Sequence, residues 1–183
     1  MTSLRFVVYS DYLCPWCYNA SVRLREIEAE YAGAVEWEWR SYLLRPERRE
    51  HSDPKAALEK FRRYTESWMR PASESPSGDF QIWSSGEGPP SHSVPAHLVS
   101  KAAARVSPES FRAMHERLMR AYFGENRDIS SSATLRSLWD ELALPADAFE
   151  VSNEPALLDE VLADHREALE LGLVDQLVAP DTV

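Results

Sequence analysis

Cys14 and Cys17 are the two cysteines of the 183-residue chain, and only Pro15 and Trp16 separate them. Two intervening residues allow a strained, reducible disulfide in which one thiol is exposed and the other resolves a mixed disulfide. The preceding run, Leu4-Arg5-Phe6-Val7-Val8-Tyr9, reads as a buried strand, apolar on both faces. After the cysteines, Ala20, Leu24, Ile27 and Tyr31 recur at helical spacing, and Gly33 stops the helix. The dithiol therefore stands at a helix N-terminus, where unpaired N–H groups and the dipole favour an anion. The thiolate is the reactive form of cysteine, so Cys14 is expected to ionise below the range of a free thiol. Pro15 lacks an N–H and has a φ suited to the first helical turn, while Trp16 stands where its bulk shapes a docking surface.

A metal reading competes with this one. Zinc would need two further ligands, and the nitrogen donors on offer are His51, His92, His97, His115 and His165. His92 and His97 are five apart, but Pro95 lies between them. No metal site is expected, and inert core thiols remain the other alternative to redox chemistry.

The segment Asp11-Tyr12-Leu13-Cys14-Pro15-Trp16-Cys17-Tyr18 resembles the active-site signature of the DsbA superfamily, in its FrnE-like branch. The resemblance continues in Trp39–Pro46, in Ser93-Val94-Pro95-Ala96-His97-Leu98, and in Ala121–Ile129. It implies an α/β chain with a thioredoxin-like fold and an inserted helical domain. It also implies that Cys14 is the nucleophile and Cys17 the resolving thiol, with Pro15, Trp16 and Asp11 as tuning residues. Asp11 either assists proton transfer from Cys17 or is an ordinary strand-end carboxylate bound to helix N–H groups. Tyr12 and His92 are weaker candidates for a substrate surface. Related proteins of this fold, the kappa glutathione transferase and 2-hydroxychromene-2-carboxylate isomerase group, use a serine in place of the first cysteine. Both cysteines are present here, which favours redox chemistry. A glutathione-dependent transferase or isomerase, and a non-catalytic remnant, stay open.

Composition fits an ordinary globular chain, 44% apolar and 27% charged, with no apolar run long enough for a membrane span. The strand begins by about residue 4, leaving no room for a signal peptide, so a cytoplasmic location is expected. A disulfide in that compartment is usually catalytic or redox-sensing. The net charge of −10 is unevenly spread: residues 140–183 hold twelve acids against Arg166 alone. That acidic third argues against a nucleic-acid partner there. Around residues 45–63, basic side chains are interleaved with Glu47, Glu50, Asp53 and Glu59, a solvated charged face.

Val35-Glu36-Trp37-Glu38-Trp39-Arg40 alternates strictly, as a half-exposed strand beside the first. Asp53-Pro54 opens a helix to about Met69, with Ala57, Phe61, Tyr64 and Trp68 on one face. A Pro-, Ser- and Gly-rich loop follows over residues 71–95, then four helices. The first is lined by Leu98, Val99, Ala102, Ala103 and Val106. The second, capped at Ser107-Pro108, carries Phe111, Met114, Leu118 and Tyr122. The third opens at Ser131 or Ser132 and presents Leu135, Leu138, Trp139 and Leu142. The last is capped by Asn153, turns Leu158, Val161, Leu162 and Leu169 inward, and ends at Gly172.

The expected organisation is an N-terminal βαβ half over 1–50, a helical insertion over 51–171, and a remnant of the second half over 172–183. The family's fold needs a final strand–strand–helix unit behind a cis-proline facing the cysteines, and Pro180 stands where that proline belongs. The last part of the sheet is therefore expected to be missing. Strand 4–9 is left with one clear partner, which predicts low activity and either homodimer formation or low stability. The function expected is thiol–disulfide exchange on a protein or small-molecule substrate. It requires no cofactor beyond an external thiol such as glutathione, and no nucleic-acid or membrane partner.

Overall fold

The computed structural model describes residues 3–173. Strand β1 (Leu4–Ser10), helix α1 (Pro15–Glu30) and strand β2 (Val35–Ser41) form a parallel βαβ unit, in register from Leu4 opposite Val35 to Ser10 opposite Ser41. Helix α2 (Pro54–Thr65) begins on Asp53, whose carboxylate accepts from the Ala56 N–H at 3.0 Å. It tightens into a 3-10 turn over Glu66–Trp68 and one further turn, α3 (Met69–Ala72), so the expected single helix is segmented. Helices α4 (Val94–Val106), α5 (Pro108–Phe123), α6 (Ser132–Glu141) and α7 (Pro155–Glu170) complete the helical layer. Proline occupies the first turn of α1, α2, α4, α5 and α7, where the missing N–H leaves no helical bond unmade.

The core lies in the helical layer. Phe61, Trp68, Trp83, Tyr122 and Phe123 interlock, with Trp68 edge-on to both Tyr122 and Phe123 at centroid distances of 5.1 and 4.8 Å. Such tilted aromatic pairs add to the burial of their large apolar surface. Met114, Leu118 and Tyr122 of α5 are buried as their spacing predicts, and so are Leu135, Leu138 and Trp139 of α6.

Three expectations need correction. In α1 the buried positions are Tyr18, Asn19 and Ser21, whereas Ile27 and Tyr31 are exposed. The polar pair is held by distant partners: Asn19 donates to the Pro71 carbonyl and accepts from the Gly78 N–H, and Ser21 binds His115. Gly78 is needed at that contact, because a Cβ there would stand 2.3 Å from the Tyr18 ring. In α7 the inward residues are Leu157, Val161 and Ala168, while Leu158 and Leu169 are exposed. The N-cap of α7 is Glu154, and the Asn153 amide donates to Glu150 instead. Strand β1, expected to be buried, exposes Leu4, Phe6 and Val7 at 63, 45 and 46%. Among the described residues the sheet has two strands, so β1 pairs on one side through β2 and is covered only toward its Ser10 end. Pro180 lies outside the described residues.

Candidate active site

The site is built where β1 and β2 both end. Asp11, 1% exposed, receives the Leu13 N–H on Oδ1 and the Leu44 N–H on Oδ2, each at 2.6 Å. One carboxylate thus ties the loop carrying the cysteines to the chain leaving β2. Beyond it, Arg45 and Ser93 exchange bonds: the Arg45 N–H donates to Ser93 Oγ at 3.1 Å, and the Ser93 N–H donates to the Arg45 carbonyl at 2.9 Å. The end of β2 is held in turn by α7, through Ser41 N–H to Asp164 at 3.0 Å and Leu43 N–H to His165 Nδ1 at 3.2 Å. Lys101 of α4 reaches the same Asp164 at 2.8 Å.

On this frame Cys14 is the N-cap of α1, with extended backbone angles, and its Sγ accepts from the Cys17 N–H at 3.4 Å. Pro15 is the first helical residue, as its sequence position predicts. The two cysteines are unbridged and 3.2 Å apart. Cys17 packs against the core and is the more deeply buried of the two.

The pair shares its protons. The hydrogen bond it gives to Cys17, then burial and the charge of Cys17, hold the Cys14 proton on. The bond it receives from Cys14, the Asp11 backbone N–H and the neighbouring Ser10 hydroxyl draw Cys17 below the ordinary thiol range. The low ionisation expected of Cys14 is thus found on Cys17 instead: of this coupled pair, Cys17 gives up its proton readily and Cys14 retains its own. The Asp11 charge opposes both thiolates.

Tyr12, read as a substrate-surface residue, is instead core. It is 4% exposed, its hydroxyl lies 3.1 Å from His115 Nδ1, and its ring stands edge-on to His97. His92 is half-buried, bonded through Nδ1 to Ser91 Oγ at 2.9 Å, with its pKa lowered by burial and then by the Arg48 charge. No hydrogen bond among the described residues joins it to the dithiol. Trp16 is half-buried between the cysteines. Sequence reasoning passed over Tyr64, which the apolar stripe of α2 marked as core. Burial raises its pKa, and the charge of Cys14 adds to that, so α2 comes within electrostatic reach of the reactive sulfur. No group of three or more His, Cys, Asp or Glu side chains among the described residues is placed to hold a metal.

Truncating Asp11 to alanine strands the buried Leu13 N–H and the half-buried Leu44 N–H. The expected cost is about 2–3 kcal/mol of stability, read by urea denaturation. An unchanged midpoint would show that the loop holds itself.

A family model for the DSBA-like thioredoxin domain matches residues 5–174. The chain belongs to that family. Among solved structures, this DSBA-like domain is similar to the cytosolic disulfide reductase DsbM from Pseudomonas aeruginosa. The TM-score is 0.74 at 23% identity, covering 94% of this chain and 82% of that one. The same reductase with GSH gives 0.73 at 22%, covering 94% and 83%. A probable DsbA oxidoreductase from Streptomyces coelicolor gives 0.69 at 24%, covering 92% and 76%. At these identities the likeness establishes the thioredoxin-like fold with its large helical part. No curated protein matches the sequence significantly.

Proposed function

We propose that this DSBA-like domain is a thiol–disulfide oxidoreductase that works through Cys14 and Cys17. The observation that carries the reading is two free thiols 3.2 Å apart at a helix N-terminus, the outer one serving as helix cap. Moving the shared proton from Cys14 to Cys17 leaves a thiolate on the more accessible sulfur, held by the Cys17 N–H. That thiolate attacks a substrate disulfide and forms a mixed disulfide. Cys17 then attacks Cys14 Sγ, expels the second substrate thiol and leaves the protein oxidised. An external thiol such as glutathione returns the dithiol. The fold relative described with GSH supports that choice. The relative described as a cytosolic reductase supports a cytoplasmic setting, which no membrane-crossing helix among the described residues opposes.

Equilibration against graded ratios of reduced and oxidised glutathione tests the reading, because ~30 mV changes the equilibrium constant tenfold. A single two-electron transition confined to Cys14 and Cys17 is expected. In the reduced protein, iodoacetamide at mildly acidic pH should label Cys14 well before Cys17. Glutathione consumed on an electrophile, with the dithiol unchanged, would favour the transferase alternative. Preferential labelling of Cys17 would reverse the assigned roles.

A further inference from the structure

Arg45 departs from the solvated face expected of residues 45–63. Its side chain is half-buried, with Nη1 donating to the Pro90 carbonyl at 3.1 Å, and no carboxylate pairs with it among the described residues. Half-buried cations elsewhere in the fold meet an acid: Arg40 meets Glu38 and Glu167, Lys101 meets Asp164, and Arg117 meets Glu125 and Glu141. A guanidinium withdrawn from water without a counter-charge is costly, and a carbonyl partner leaves that charge unbalanced. Arg62 of α2 shares the lack, donating to the Ser85 carbonyl at 2.8 Å, but no hydrogen bond among the described residues ties it to the dithiol loop. Position sets Arg45 apart. Asp11 accepts the Cys14 N–H on its backbone carbonyl at 3.2 Å and the Leu44 N–H on Oδ2 at 2.6 Å. One residue therefore joins the backbone of the attacking cysteine to the residue before Arg45. The paired bonds with Ser93 hold Arg45 from the other side. Tyr64 of α2, stacked on Phe61 at a centroid distance of 6.0 Å, feels both groups: burial raises its pKa, the Arg45 charge lowers it and the Cys14 charge raises it.

We propose that Arg45 selects the substrate, binding a carboxylate that the disulfide carries close to the sulfur Cys14 attacks. The inference rests on the exchange reaction proposed above. Pro90 holds one nitrogen of the guanidinium, and the remaining N–H groups suit the two oxygens of a carboxylate. The incoming anion supplies the counter-charge that the fold withholds. Glu47, two residues on, is exposed and does not pair with Arg45. The sign of the overall charge makes the preference diagnostic. At a net charge of −10 the long-range field of the protein repels anions, so faster reaction with an anionic disulfide marks a local contact. Two sources carry this chemistry: the glycyl end of oxidised glutathione, and an aspartate or glutamate beside the disulfide of a polypeptide.

The test uses the full chain in its reduced form and reads the rate of disulfide reduction in two matched pairs. The first pair is oxidised glutathione and the same compound esterified at both glycyl carboxylates. The second is a short peptide disulfide with aspartate beside the cysteine and its asparagine counterpart. Each rate is divided by that of the same disulfide with free dithiothreitol, which removes intrinsic reactivity. At low salt the charged member of at least one pair should react ~10- to 100-fold faster, and the pair that shows the preference identifies the source. Arg45→Gln should bring the ratio to about one, and Arg45→Lys, which keeps the charge but loses the fork, should leave an intermediate ratio. Both variants retain the backbone bonds to Ser93, and the milder Arg45→Lys carries the assignment if Arg45→Gln folds poorly. A ratio near one in both pairs of the parent protein, or a preference that neither variant moves, would overturn the proposal. A parent protein that reduces none of the four disulfides would defeat the exchange reading, and this inference with it.

Discussion

Cys14→Ser should abolish disulfide exchange, lowering its rate by ~10³-fold or more, because a serine hydroxyl does not ionise near neutral pH. Cys17→Ser should behave differently. It keeps the attacking sulfur and its helix-terminal position, yet cannot resolve the adduct. It should accumulate a stable mixed disulfide with glutathione or substrate, visible by intact mass. The asymmetry is the informative part. Cys14 caps the helix and is the less buried sulfur, while Cys17 packs on the core. Adduct trapping in Cys14→Ser, with loss of first attack in Cys17→Ser, would exchange the two roles.

The second large effect is on acid stability. Burial holds His115 neutral, lowering its pKa from 6.5 to about 3. The unfolded chain binds a proton there between roughly pH 6.5 and pH 3, and the folded chain does not. Stability is therefore fully present above about pH 6.5 and falls as the pH drops through that window. By about pH 3 the loss from this one site approaches roughly 4 kcal/mol. Urea midpoints measured from pH 7 to pH 4 should fall, and His115→Gln should flatten the slope while costing stability at pH 7. An equally steep pH dependence in that variant would assign the acid sensitivity to the carboxylates.

The parts legible in the sequence are those fixed within a single helical turn. Asp53-Pro54, Ser107-Pro108 and Cys14-Pro15 each declare a helix start, since a cap needs only itself and the N–H groups two or three residues on. The buried face of α1 was not legible, because Asn19 and Ser21 are made interior by Pro71, Gly78 and His115, up to 94 residues away. The same holds for the floor of the site. The motif announces Cys14 and Cys17, but Asp11 is held by the Leu44 N–H, and His97 of α4 comes within 3.9 Å of that carboxylate. One signal was available. His115 recurs with Phe111, Leu118 and Tyr122 on one face of α5, and a histidine on such a stripe marks a buried polar contact.

Cys14 is at once the cap of α1 and a partner in any disulfide the chain forms, so conformational and redox equilibria here are two sides of one thermodynamic cycle. An intact fold that solvates the thiolate better than the open chain does must, by the same free energy, make the disulfide a stronger oxidant than a dithiol in an unstructured peptide. The difference in unfolding free energy between the reduced and oxidised forms is therefore a redox measurement in its own right. Each ~1.4 kcal/mol by which the reduced form is the more stable corresponds to ~30 mV of oxidising power, read from two denaturation curves without any electrode.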